Sequence, residues 1–141
     1  MFPKNTRILI ADDMRTMRAI VKKGLNMLGY EDITEAHDGK QAWDEIEKSL
    51  KENKPFKLII SDWNMPVMLG IDLLKRVRQT AQTKSTPFVL LTAESEKDQL
   101  IEAAKSGVSG YIIKPFTQEV LKEKLQSIYA KLNPTTKPAA A

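Results

Sequence analysis

The sequence predicts an α/β fold in which a five-stranded parallel sheet is covered by five helices on both faces. Short apolar, β-branched runs alternate five times with stretches whose apolar residues recur every three or four positions. Strands that alternate with helices form parallel sheets, because each helix carries the chain back across one face. The 141 residues fit one domain. We assign it residues 1–132 and expect residues 133–141, which include two prolines and three final alanines, to be a disordered tail.

The first strand and the first helix have the clearest patterns. Residues 7–11 are mostly apolar and stop at two aspartates, as expected of a buried strand. The helix that follows has one apolar face and ends at Gly29. This face is made of Met17, Ile20, Val21, Leu25 and Leu28.

The other elements repeat this pattern along the chain. Residues 32–36, 58–61, 88–91 and 111–113 are predicted to form the second to fifth strands. Apolar residues at helical spacing predict three helices between these strands, around Ala42, Ile71 and Leu100. A last helix carries Leu121 and Leu125 on its apolar face.

Composition excludes several classes of function. The chain has no cysteine, which removes disulfides, thiolate nucleophiles and cysteine-based zinc sites. Its apolar runs are too short to cross a bilayer, and the first residues lack the apolar segment of a signal peptide, so we expect a cytoplasmic protein without membrane insertion. The net charge of +4 comes from lysines scattered among acids, which is typical of a solvated surface and predicts no nucleic-acid partner.

Residues capable of chemistry follow four of the five predicted strands. They are Asp12 and Asp13, Asp62, Thr92, and Lys114. The carboxyl ends of parallel strands meet at one edge of a sheet, so these side chains should converge. Three carboxylates repel one another, and Mg²⁺ relieves such repulsion. An aspartate can accept a phosphoryl group, while a lysine and a threonine bind its oxygens, so the pattern predicts phosphoryl transfer.

Four motifs in this order resemble the two-component response-regulator receiver domain. They are Asp12-Asp13, Asp62-Trp63-Asn64-Met65-Pro66, Thr92-Ala93-Glu94 and Lys114-Pro115-Phe116. The resemblance extends over residues 7–132 and is strongest to members of the family that act in chemotaxis. It implies the strand order 2-1-3-4-5, with output through protein contacts.

The resemblance implies a role for each acidic residue of the predicted site. Asp62 would be the phosphoacceptor, phosphorylated by a partner histidine kinase. Asp13 and Asp62 would ligate Mg²⁺ directly, together with the backbone carbonyl of Asn64. Asp12 would hold a metal-bound water.

It also implies a switch that carries the signal to a target protein. Thr92 and Lys114 would bind phosphoryl oxygens. Movement of Thr92 would let Tyr111 turn inward and change the face built from the fourth helix, fifth strand and fifth helix. This face would bind the target, for which the flagellar motor switch is our first expectation.

Further features follow from the same resemblance. Asn64 and Glu94 would set the rate at which the acyl phosphate is hydrolysed, with a phosphatase as a possible further partner. The bond between Lys114 and Pro115 would be a cis peptide. One departure is Leu69, which precedes Gly70 where the family often has aspartate. We expect a monomer.

Other interpretations stay open from the sequence. The chain can be a phosphorelay intermediate, another stand-alone regulator, or a receiver cut from a longer protein. A Mg²⁺-dependent phosphohydrolase of the dehalogenase type is disfavoured, because that family has an acid two residues after the nucleophile, where this chain has Asn64. The complete set of acids, threonine and lysine also disfavours a degenerate binding module. We therefore predict a signalling switch that dephosphorylates itself slowly, rather than a metabolic enzyme.

Overall fold

The computed structural model describes residues 1–93 and 97–133, which fold around one five-stranded sheet. All strand pairs are parallel, and the order is β2-β1-β3-β4-β5, so the predicted fold class is confirmed. The strands are β1 (Ile8–Ala11), β2 (Ile33–Ala36), β3 (Leu58–Asp62), β4 (Phe88–Ala93) and β5 (Gly110–Lys114). Glu94 and residues 134–141 of the predicted tail lie outside the described residues.

Five helices alternate with the strands along the chain. They are α1 (Arg15–Met27), α2 (Gly39–Lys51), α3 (Gly70–Gln79), α4 (Lys97–Lys105) and α5 (Gln118–Leu132). Side chains cap α2 and α5. Asp38 accepts a hydrogen bond from the Gln41 N–H, and Thr117 accepts one from the Val120 N–H. In the part of the chain that the structure describes, no helix is long and apolar enough to cross a membrane.

The core has two layers, one on each face of the sheet. Successive strand residues point to opposite faces, so Ile8 and Ile10 pack with α1 and α5 while Leu9 packs with α2 and α3. The central strands are buried along almost their whole length, which explains why they appear in the sequence as continuous apolar runs.

One predicted core residue, Ile20, is instead 53% exposed. The buried face of α1 is centred between Val21 and Gly24, and Ile20 lies on its flank because each helical residue turns by about 100°. Gly24 faces α5 so closely that an added Cβ would lie 2.7 Å from a methyl carbon of Leu121. The contact with α5 therefore decides which side of α1 is buried. The spacing of apolar residues in α1 alone does not reveal this.

Strand register brings the predicted site residues to one edge of the sheet. Ala11 pairs with Ser61, so the next residue of each strand places Asp12 beside Asp62. Asp62 pairs with Leu91, and Thr92 is one residue further along β4. Lys114 pairs with Ala93 at the carboxyl end of β5.

Candidate functional site

Three carboxylates form a cluster at the carboxyl edge of the sheet. Asp12, Asp13 and Asp62 each offer one oxygen, and these oxygens lie within 4.8 Å of one another. Asp12 and Asp62 are buried, whereas Asp13 is exposed. The cluster therefore has two acids fixed by the protein interior and one that faces solvent.

The carboxyl of Asp12 is fully buried and only partly satisfied. Its Oδ1 accepts a hydrogen bond from the Met14 N–H at 2.8 Å, while Oδ2 has no hydrogen-bond partner among residues 1–93 and 97–133. The pKa of Asp12 is raised to about 6, mainly by burial. The charges of Asp62 and Asp13 also raise it, whereas the hydrogen bond from the Met14 N–H and the charge of Lys114 lower it. A cation at Oδ2 would satisfy this oxygen and favour the charged form.

Arg18 holds the backbone of this acidic segment. Its guanidinium donates to the Asp12 carbonyl oxygen at 2.7 Å and to the Glu35 carboxylate at 3.2 Å. Arg18 thus ties α1 to β1 and β2 next to the cluster. Sequence reasoning missed this residue, because an arginine on a helix carries no sign of a partner on a neighbouring strand.

Asp62 forms an ion pair with Lys114 inside the site. The lysine Nζ lies 2.9 Å from Oδ1, and the Trp63 N–H donates to the same oxygen at 2.9 Å. Both partners are largely shielded, because the Lys114 side chain is 19% exposed and the Asp62 side chain 7%. Oδ2 of Asp62 makes no hydrogen bond within the described part of the chain. The Lys114–Pro115 bond is cis, as the resemblance implies.

Thr92 lies near the carboxyl end of β4, one residue beyond the partner of Asp62. The residue is 1% exposed, and its Oγ1 makes no hydrogen bond to any residue in the described ranges. A buried hydroxyl without a partner carries a free-energy cost, which an oxygen-rich ligand in the site would remove. The phosphoryl oxygens implied for Thr92 are groups of this kind.

Tyr111 lies on β5, beside the strand that carries Thr92. It pairs with Leu90 and is half-buried, and the Lys124 ammonium of α5 lies 5.1 Å from the centre of its ring. Ile113, two residues further along β5, and Ile101 on α4 are 39% and 55% exposed. This face of β5 and α4 thus combines a half-buried aromatic ring with exposed apolar groups.

The loop between β3 and α3 passes close to Asp62. The Gly70 N–H donates to the Trp63 carbonyl at 2.8 Å, and a Cβ on Gly70 would lie 2.1 Å from the Asp62 carbonyl oxygen. Val67 in this loop has a φ of 70° and is 77% exposed. This left-handed conformation is costly for a β-branched residue. No pattern in the sequence indicated it.

Asn64 is the second residue of this loop and is exposed next to the buried Trp63. Its position follows directly from that of Asp62, but its roles as carbonyl ligand and in hydrolysis stay predictions. The same holds for Glu94, which lies outside the described residues.

The donor set fits Mg²⁺. Clustered carboxylate oxygens, one of them buried without a partner, are hard ligands of the type that this cation prefers, and the exposed side at Asp13 leaves room for water. Lys114 supplies a positive charge at Asp62, and Thr92 supplies a buried hydroxyl at the end of the neighbouring strand. An acid cluster with a lysine and a hydroxyl is compatible with phosphoryl transfer, in which positioning and charge neutralisation dominate.

Comparison with known proteins identifies the class. The family model of the response regulator receiver domain matches residues 8–126, and the chain belongs to this family. Chemotaxis protein CheY-3 of Vibrio cholerae serotype O1 is 48% identical over 129 residues, which cover 92% of this chain and 95% of that protein. The chain is thus a receiver domain of the type found in CheY chemotaxis response regulators.

Solved structures agree with this classification. The chemotaxis response regulator CheY4 of Vibrio cholerae superposes with a TM-score of 0.78 at 36% identity, covering 88% of this chain and 98% of that chain. The receiver domain of sensor histidine kinase PA1611 from Pseudomonas aeruginosa has a TM-score of 0.75 at 25% identity, with coverage of 87% and 96%. In that structure a magnesium ion is coordinated in the active site cleft.

Proposed function

We propose that this protein is a phosphorylation-switched chemotaxis regulator. Asp62 accepts a phosphoryl group from the phosphohistidine of a partner kinase, and the face formed by α4, β5 and α5 then binds a target, the flagellar motor switch being the first candidate. The observation that carries the proposal is the 2.9 Å contact of the Lys114 ammonium with Asp62 inside a cluster of three carboxylates. Receivers of the CheY type take phosphoryl groups from histidine kinases and bind such downstream targets, which supports the assignment.

Asp12, Asp13, Asp62 and the Asn64 carbonyl are the residues that would hold Mg²⁺. When bound, this ion neutralises phosphoryl oxygens and offsets the mutual repulsion of the acids. The unpartnered Oδ2 of Asp12 and the magnesium ion in the PA1611 receiver support its presence here.

In the transfer step, a carboxylate oxygen of Asp62 forms a bond to phosphorus while the phosphorus–nitrogen bond of the donor imidazole breaks. The bonding electrons leave with the imidazole, and Asp62 becomes an acyl phosphate. Lys114 and Thr92 donate hydrogen bonds to the transferred group. Hydrolysis by water resets the site, at a rate that we assign to the side chains at Asn64 and Glu94.

The switch begins at Thr92, whose hydroxyl gains a phosphoryl oxygen as partner. Its displacement opens space that Tyr111 fills by turning inward, away from the Lys124 ammonium. Ile101 and Ile113 lie on the same face and supply apolar area for a partner. Phosphorylation thereby shifts the population of a two-state surface.

The test is labelling with acetyl phosphate, read by intact mass. The wild-type protein should gain one phosphoryl group only when Mg²⁺ is present, and Asp62→Asn should gain none. Asp72→Asn is the matched control, because it makes the same chemical change at an exposed acid on α3. Full labelling of Asp62→Asn would refute the assignment, and continuous release of phosphate from small esters would indicate a phosphohydrolase instead. Monomeric state and cytoplasmic location stay predictions.

A further inference from the structure

A second concave site lies at the opposite end of the sheet from the acid cluster. It is a cavity of about 780 Å³ beside the residues that precede β1, β3 and β4. Five of the side chains that line it are largely apolar: Phe2, Pro3, Pro55, Pro87 and Tyr129. Small-molecule sites in proteins have volumes of roughly 300–1,000 Å³ and mostly apolar walls, and this cavity falls within that description.

The amino-terminal wall of this cavity is fixed by specific contacts. The ring of Phe2 packs edge-to-face on Tyr129, with 5.0 Å between centroids. The buried Tyr30 hydroxyl donates to the Phe2 carbonyl at 2.6 Å, and the Thr6 hydroxyl donates to the Pro3 carbonyl at 2.6 Å. The first residues of the chain are therefore anchored to α5 and to the segment after α1, so the cavity is preformed.

The polar lining carries an excess of positive charge. Arg7, Lys54 and Lys57 are among its lining residues, together with one acid, Asp32. Arg7 is positioned by stacking on Phe56, 4.7 Å from the ring centre, and lies 3.9 Å from Asp32. Within residues 1–93 and 97–133, neither Lys54 nor Lys57 has an acidic partner. Two lysines of the lining are thus without an acidic partner in these ranges, and their charge is available for an anion.

We propose that this cavity binds a small organic anion with a flat apolar body, of the aromatic carboxylate or sulfonate class. The rings and prolines of the wall would contact the flat body, and Lys54, Lys57 and Arg7 would neutralise the acidic group. An apolar wall with a few convergent charges gives both affinity and orientation. The site is separate from the acid cluster, and the inference does not rest on the proposed function.

The probe for this test is 8-anilinonaphthalene-1-sulfonate, an aromatic anion, and the comparison is N-phenyl-1-naphthylamine, which has the same rings without the sulfonate. Titration followed by ¹⁵N NMR should show one site, with shifts confined to the residues around the cavity, including Phe2, Arg7 and Lys57. The neutral analogue should bind at least about tenfold more weakly, because it lacks the group that the ammonium ions contact.

The charge requirement is tested with Lys54→Glu/Lys57→Glu against Lys23→Glu/Lys105→Glu, which changes net charge equally at exposed positions elsewhere. The first variant should bind the probe at least about tenfold more weakly than wild type. The second variant should bind it with an affinity within about twofold of wild type. Circular dichroism and thermal unfolding check both folds, with Lys57→Gln as the milder substitute. Shifts outside the cavity, equal losses in the two variants, or equal binding of the neutral analogue would overturn the proposal.

Discussion

Asp12 is a buried acid whose charge lowers the stability of the folded protein. Its carboxyl is buried, and its pKa is raised from 3.8 to about 6, mainly by burial. Between pH 3.8 and about pH 6 the folded protein binds more protons than the unfolded chain. The free energy of unfolding therefore falls as pH rises through this range, and it stays lower at higher pH. A charged group that costs stability in the free protein is consistent with a site built to receive a cation.

Asp12→Asn should therefore stabilise the metal-free protein. We expect the free energy of unfolding to rise by about 1–3 kcal/mol near pH 8. The gain should vanish below about pH 3, where the wild-type carboxyl is protonated in both the folded and the unfolded state. Urea unfolding in the presence of a chelator measures both values. Asp13→Asn is the control, because the same change at the exposed acid should have little effect. A loss of stability in Asp12→Asn near pH 8 would show that the buried charge is compensated in the free protein.

The same pKa predicts how Mg²⁺ binding depends on pH. Protonation of Asp12 competes with the cation, so affinity should be constant above about pH 7 and fall by up to about tenfold per pH unit below about pH 6. The fluorescence of Trp63, which is buried beside Asp62, is a suitable readout. An affinity that is independent of pH would contradict ligation through these carboxylates.

The β3–α3 loop connects Asp62 to the helix that follows. Gly70→Ala should cost about 2 kcal/mol or more, because the new Cβ would lie 2.1 Å from the backbone oxygen of Asp62, which cannot move without displacing the site. Mg²⁺ affinity should fall together with stability. Thermal unfolding and the Trp63 titration measure the two effects.

Gly24→Ala is the matched comparison for this prediction. Its Cβ would meet the side chain of Leu121 at 2.7 Å, which can adjust, and alanine favours the helix. We expect a smaller loss than for Gly70→Ala, with unchanged Mg²⁺ affinity. Equal losses in both variants would mean that the loop tolerates the added methyl group.

Elements were predictable from the sequence because their patterns are local. The strands show as apolar runs, and their ends differ from the predicted ones by one or two residues, as at β4, which continues to Ala93. The features that the sequence did not predict depend on partners elsewhere in the fold. The exposure of Ile20 follows from how α1 meets α5, and the left-handed conformation of Val67 follows from how the loop closes against β3.

In the molecule as a whole, the meeting of the site residues was predictable, because the carboxyl ends of parallel strands lie at one edge of the sheet. Once β1, β3, β4 and β5 are parallel, the acids, Thr92 and Lys114 meet without further assumptions. The contacts of Arg18 and the basic cavity at the other edge were not predictable. The contact of Arg18 with Glu35 and the lining of the cavity join residues on different elements, and no local pattern in the sequence indicates such partners.

We propose that phosphorylation of Asp62 changes the face formed by α4, β5 and α5. The most direct measurement compares ¹⁵N NMR spectra of the Mg²⁺-bound protein before and after full labelling with acetyl phosphate. We predict shifts at Tyr111, Ile113 and Ile101 in the wild type, and no such shifts in Lys114→Ala, which should retain Mg²⁺ binding. Lys75→Ala, which removes an exposed ion pair with Glu102, should behave as wild type. Complete labelling of the wild type with shifts confined to the acid cluster would show that phosphorylation does not change this face.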